Sequence, residues 1–318
     1  MRVLATSPIR VRSHAWGESA LAREWTAEHL AAVTPSRRER SSLTARTPTV
    51  RRRPIMETVT DDGSWLAGPV LVTGGTGTLG RLVVRRLRAH DRHVRVLSRS
   101  SHLAEGKVEF VRGDLLAGEG LDQAVDGVSI VIHCASAKTG DAEATRNLVS
   151  AASSLRRPPH LVFISIVGAD RVSFGYIRSK LEAEHVVTEG GAPWTILRAT
   201  QFYDLILSGS AKAARLPVIP VPAGFRVQPV DPDEVAARLV QVALEEPSGR
   251  VADFGGPHVA TAAELVRTYL EAIDRQRLVV QVRVPGTRAI RAGALLVGPP
   301  AQEQGIHSWT EFLAARLA

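Results

Sequence analysis

From Pro69 onward the apolar residues fall into short runs separated by stretches of helical spacing; before Pro69 they follow no sustained pattern. The runs are Pro69–Thr73, His93–Ser98, Val108–Arg112, Ser129–His133, Leu161–Ser165 and Trp194–Arg198. They are short and largely continuous rather than alternating, as in strands covered on both faces. Helical spacing fills Leu79–His90, a short segment at Leu121–Val125, Asp141–Leu155 and Tyr176–Glu189. In the first of these Leu79, Val83, Val84 and Leu87 share one side and arginines take the other. Strands alternating with helices predict an α/β fold with a parallel sheet between two helical layers.

Beyond about Thr200 the pattern loosens. Pro217, Pro220, Pro222 and Pro229 punctuate a stretch read as loop. Asp231, Pro232 and Glu234 mark a helix start, and Val251–Phe254 reads as a strand. Thr261 and Glu264 form a capping box opening a helix to about Ile273, Leu278–Val284 is strand-like, and Trp309–Leu317 closes the chain as an amphipathic helix. Residues 1–66 match no folded element. They read as a disordered, Arg-rich extension, or as sequence upstream of a start at Met56, with a composition resembling a transit peptide.

Charge changes the picture less than its total suggests. The chain carries a net +8, but residues 1–55 hold 11 Arg and 4 Glu, and the remainder 29 basic against 28 acidic residues. The folded part therefore lacks the basic footprint of a nucleic-acid-binding domain. No apolar run approaches the roughly 18 residues of a membrane span, so neither nucleic acid nor membrane is an expected partner and a cytoplasmic location is expected. Cys134 is the single cysteine, which excludes an intramolecular disulfide. His133, His160, His185, His258 and His307 show no metal-ligand spacing, and no metal is expected.

The chemistry concentrates at three places. The first is Thr73-Gly74-Gly75-Thr76-Gly77-Thr78-Leu79-Gly80, where the first strand meets the first helix. Spaced glycines permit a tight turn, close backbone approach to a pyrophosphate and close strand–helix packing, while free N–H groups of the helix face the phosphates. This reads as a dinucleotide site, with Ala135 after the fourth strand and Asp114 and Leu115 after the third as further candidates. Asp114 could accept from an adenine amine or cap the following segment. The second place is Ser98-Arg99-Ser100. No acid stands there to take a ribose hydroxyl, and Arg99 can pair with a 2′-phosphate, which favours NADP (NADPH) over NAD. The third is Tyr176 and Lys180, four apart on one helix face. A nearby ammonium favours the phenolate and makes Tyr176 a proton donor or acceptor. Ser165, ending the preceding strand, can donate to a substrate carbonyl.

In this order the glycine motif, the Gly113-Asp114-Leu115 turn, Ser165, Tyr176/Lys180 and Trp194-Thr195-Ile196-Leu197-Arg198 resemble the short-chain dehydrogenase/reductase superfamily. Ser165–Asp170, Lys180 with Glu184, and Leu197–Phe202 most resemble its atypical, NmrA-like group. The resemblance implies a doubly wound (Rossmann) sheet in residues 67–205 and a smaller substrate-binding lobe in 206–318. It implies Tyr176 as acid/base, Lys180 as holder of the nicotinamide ribose and Ser165 as the group orienting the carbonyl. Asp141 stands where the family carries an Asn, and Asn147 further along reads as structural. The implied activity is NADP-dependent reduction or oxidation of a small carbonyl or alcohol, with Phe202, Tyr203 and Phe225 lining its pocket. A non-catalytic NADP(H)-sensing regulator and an NAD-dependent epimerase or dehydratase are the alternatives. The sequence sets no oligomeric state.

Overall fold

The computed structural model describes residues 66–136, 140–172, 175–298 and 304–318. The expectations for residues 1–65 lie outside the described residues.

The chain runs β1 (Val70–Thr73), α1 (Thr78–Ala89), β2 (Val94–Ser98), β3 (Val108–Arg112), α2 (Leu121–Val125), β4 (Ile130–His133), α3 (Asp141–Ser153), β5 (His160–Ile166), α4 (Gly175–Glu189) and β6 (Trp194–Ala199). With β9 (Gly249–Arg250) these strands form one seven-stranded parallel sheet in the order β3-β2-β1-β4-β5-β6-β9. The chain leaves β1 first toward β2 and later returns to β4 on its other side, so a crevice opens above the carboxyl ends of β1 and β4. Register sets what faces it. Thr73 lies beside Leu97 and His133, His133 beside Phe163, and Ser165 beside Arg198.

Alternation of the strand side chains explains why the sheet is held from both sides. Val70 and Val72 are wholly buried on one face with Val83 and Leu87 of α1, and Leu71 on the other with Leu148, Leu161 and Phe163. Each such side chain contributes roughly 1.5–3 kcal/mol of burial. α6 (Pro232–Leu244) covers the first face beside α1; Asp231 caps it, accepting from Asp233 N at 2.8 Å.

A second core gathers α5 (Tyr203–Ala213), β7 (Val218–Pro222), the antiparallel pair β8 (Arg226–Val227) and β10 (Ala260–Thr261), α7 (Ala262–Ala272), α8 (Arg288–Arg291) and α9 (Trp309–Leu317) around Ile219, Leu270, Leu295 and Phe312. Residues 206–318 are thus shared between the two cores, because α6 and β9 return to the first sheet.

Two local expectations are corrected. The proline-punctuated stretch contains β7, which pairs in parallel with β11 (Leu278–Val282). Pro220 and Pro222 stand two apart, so both missing N–H groups fall on the same edge of the strand and leave the other edge able to pair. The segment before it, where the pattern loosens, holds the α5 helix. Val251–Phe254 is not a regular strand: Val251 N bonds Ile196 O and Phe254 N bonds Arg198 O, so three steps on one side match two on the other. That extra residue is a bulge, and regular pairing is confined to Gly249–Arg250.

Candidate active site

The glycine turn is built for something to sit against its backbone. Gly74 holds φ +68°, and a Cβ there would lie 2.7 Å from the Ala135 backbone. A Cβ on Gly80 would lie 2.1 Å from Gly74 O, and one on Gly75 2.7 Å from Val96. Gly77 N donates to Gly74 O at 2.9 Å, and α1 then starts with no side-chain cap and no acid in its first turn. The N–H groups of Thr78, Leu79 and Gly80 have no helical acceptor, and Thr76 and Gly77 are exposed beside them. This bare, positive helix end above close-packed glycines fits a pyrophosphate.

Below the turn lies a hydrogen-bond chain that the sequence reading missed. Ala135 N donates to Thr73 Oγ1 at 3.4 Å, and Thr73 Oγ1 lies 2.6 Å from His133 Nδ1. His133 Nε2 lies 3.1 Å from Thr145 Oγ1, which donates to Asp141 O at 2.7 Å. Because Thr145 spends its proton on the carbonyl, His133 carries its proton on Nε2 and accepts from Thr73. The ring is buried, which pulls its pKa down to about 4, with Lys180 adding to the pull and Asp141 opposing it. Thr73 spends its hydroxyl beneath the loop.

At the next strand Ser98 Oγ accepts from Ser100 N at 3.2 Å and lies 3.1 Å from His102 Nε2, while Arg99 and Ser100 are exposed. Asp114 Oδ1 accepts from Leu116 N at 2.8 Å and Ala117 N at 3.3 Å, which is the capping alternative. Leu115 is half-buried, and its carbonyl accepts from Asn147 Nδ2 at 2.9 Å.

The reactive candidates meet on the other side of the crevice. α4 carries Tyr176 and Lys180 one turn apart. Lys180 Nζ lies 3.0 Å from Asp141 Oδ2, both side chains 3% exposed, and 4.9 Å from the centre of the Phe163 ring. Burial pulls the ammonium pKa down, but Tyr176, Asp141 and Cys134 together raise it above its ordinary value, so Lys180 stays charged. Cys134 is protonated: burial pushes the thiol up to about 12 against the pull of Lys180. Tyr176 Oη lies 2.8 Å from Ser136 Oγ. Ser136 was not singled out from the sequence; the available signal was a hydroxyl directly after the strand at the crevice, next to Ala135. Ser165 sits two residues past the His133–Phe163 level, buried, and its hydroxyl meets no partner among the described residues.

Two residues expected in the substrate pocket are placed elsewhere. Tyr203 is buried against Trp309 and Phe312 and donates to His307 O at 2.9 Å, and Phe225 is buried in the same second core. Aromatic residues beside a loose pattern are read as lining when they are in fact a second core.

α4 is fixed to the sheet by Arg198 of β6. Its guanidinium grips Glu184 with two bonds, 2.8 and 2.7 Å, and reaches Asp170 Oδ2 at 3.1 Å. Arg198→Met would leave the Glu184 carboxylate buried without its partner, at an expected cost of about 3–5 kcal/mol in urea denaturation. A loss below about 1 kcal/mol would show that the pair does not hold the helix.

Residues 74–246 match the model of a family described as NAD(P)H-binding. A (4-alkanoyl-5-oxo-2,5-dihydrofuran-3-yl)methyl phosphate reductase from Streptomyces griseus subsp. griseus is 29% identical over 236 residues, covering 73% of this chain and 82% of the relative. A photosystem II assembly factor from Trieres chinensis is 23% identical over 265 residues, covering 78% and 80%. Among solved structures, an NADPH-dependent quinone oxidoreductase from Escherichia coli, complexed with NADPH, superposes with a TM-score of 0.65 at 17% identity, covering 78% of this chain and 100% of that one. This last likeness shows the shared fold.

Proposed function

The chain belongs to the NAD(P)H-binding family, and from that premise we propose that it is an NADP(H)-dependent oxidoreductase acting on a small carbonyl or the corresponding alcohol. The observation that carries the reading is Tyr176 on Ser136, one helical turn from a buried Lys180–Asp141 pair, beside the crevice that the glycine turn opens. A reduced nicotinamide, when bound, supplies hydride. Tyr176 gives the carbonyl oxygen its proton. Lys180, kept charged, steadies the developing phenolate, and Asp141 anchors Lys180. Thr76–Gly80 hold the pyrophosphate, and Arg99, exposed at the end of β2 with no acid beside it, takes the 2′-phosphate. The reductase among the relatives supports the reaction class.

Parallel titration of the whole chain with NADPH, NADP⁺ and NADH tests the cofactor assignment. NADPH is expected to bind at least tenfold tighter than NADH, and Arg99→Ala to erase about 10- to 100-fold of that preference, the worth of one charge-assisted bond. Equal affinities in the unaltered chain would overturn the assignment.

One observation favours a second reading, a regulator that senses NADP(H). The Ser165 hydroxyl is closed off rather than offered to a carbonyl, and one relative is named as an assembly factor. Tight NADPH binding without turnover on any carbonyl would select that reading.

A further inference from the structure

We propose that Ser136, three residues past the end of β4, is the positioning residue of Tyr176; the proposal rests on the reading of Tyr176 as the proton donor. Ser136 Oγ lies 2.8 Å from the phenol oxygen. Ser165 lies two residues past Phe163, which pairs with His133, and so one strand further along the sheet; its hydroxyl is buried without a partner among the described residues.

The chemistry assigns the bond a direction. A neutral phenol can donate to Ser136 or accept from it, but a phenolate can only accept. A hydroxyl donating to a charged oxygen makes a stronger bond than one between neutral groups, so Ser136 favours the ionised tyrosine as well as fixing where its oxygen points. The groups that interact with Lys180, and through it bear on Tyr176, make this contribution count. Lys180 on α4 is charged but paired with Asp141 at the start of α3, so the carboxylate offsets part of the ammonium's pull. Cys134 at the end of β4 is a protonated thiol, and His133 beneath it is a neutral ring. Among the described residues, the short bond from Ser136 is therefore an influence on the phenol oxygen that no opposing charge cancels.

The chain has three tyrosines, Tyr176, Tyr203 and Tyr269, and burial raises both of the others. Ultraviolet titration of the full chain, without substrate, follows phenolate formation, and Tyr176→Phe identifies the step that belongs to Tyr176 by removing it. Ser136→Ala is expected to move that step up by about one to two pH units, from the worth of a hydrogen bond to a charged group. Ser136→Thr restores it, and Ser165→Ala leaves it in place. NADPH fluorescence binding checks the fold of each variant; if Ser136→Ala loses binding, Ser136→Cys, which keeps the volume and weakens the donor, moves the step in the same direction. An unmoved Tyr176 step in Ser136→Ala or Ser136→Cys, or an equal shift in Ser165→Ala, overturns the proposal. Because the titration needs no turnover, a shifted step in a chain that reduces no carbonyl would sink the enzyme reading and leave the Ser136 assignment standing.

Discussion

Tyr176→Phe is expected to lower the rate of NADPH-dependent carbonyl reduction by about 10²- to 10⁴-fold, the usual worth of a positioned general acid, while NADPH affinity changes by less than about twofold. The substitution removes one oxygen from a half-buried ring, so no cavity opens in either core. The Lys180–Asp141 pair, the Arg198–Glu184 fork and the glycine turn share no bond with that oxygen, and α4 keeps its seat. Ser136 loses its partner at the crevice, where water can replace it. The loss should thus fall on turnover alone. The check is steady-state kinetics by NADPH absorbance beside a fluorescence titration of the same preparation. A variant that binds NADPH and turns over as fast as the unaltered chain would remove Tyr176 from the mechanism. A variant that loses binding would make Tyr176 a structural residue of the cofactor crevice.

How much of the molecule is legible in its sequence depends on range. The sheet was legible because its strands are short, apolar and separated by clear helical stretches, each a local signal. The glycine turn was legible because steric demand confines those positions to glycine, and the contacts at Gly74 and Gly80 show that demand directly. Tyr176 and Lys180 announce themselves by a four-residue spacing on one helix. What was not legible is what register decides. That Ser136 rather than Ser165 meets Tyr176 depends on which strand end lies against α4, 40 residues away in the chain. The Thr73–His133–Thr145–Asp141 chain spans three elements, and no spacing marks it. Asp114 can face adenine or its own turn, and only the placed N–H groups of Leu116 and Ala117 show that its Oδ1 is engaged in the turn. Strand β7 was hidden because its prolines read as loop until β11, sixty residues on, supplies the edge they leave usable.

Lowering the pH from about 6.5 to about 4 is expected to cost the fold a large share of its stability through two buried histidines. His133 is 1% exposed and His160 3%. Burial pulls both pKa values down to about 4, reinforced at His133 by Lys180 and opposed by Asp141, and opposed at His160 by its bond to the Ala243 backbone. Both rings are neutral in the folded chain, and both regain their ordinary value near 6.5 when it unfolds. Between those limits the unfolded chain binds more protons, so stability is full above about pH 6.5 and falls as the pH drops. Each ring accounts for roughly 3 kcal/mol at the acid end of the window, and two such terms rival the roughly 5–15 kcal/mol that holds an ordinary domain together. Asp170, held low mainly by Arg198 against the opposing effect of burial, adds its own loss only in more acid solution, and Asp204, raised by burial, opposes the trend. The measurement is urea denaturation followed by circular dichroism, from about pH 7.5 to about pH 4.5, on the unaltered chain and on His160→Gln. Gln can still bond Thr195, which lies 2.8 Å from His160 Nε2, but cannot be protonated. The variant is expected to start less stable near neutral pH and to lose about half as much on acidification. A denaturation midpoint independent of pH across this window would mean that neither ring is held neutral by the fold. An unchanged slope in the variant would place the whole effect on His133, beneath the glycine turn.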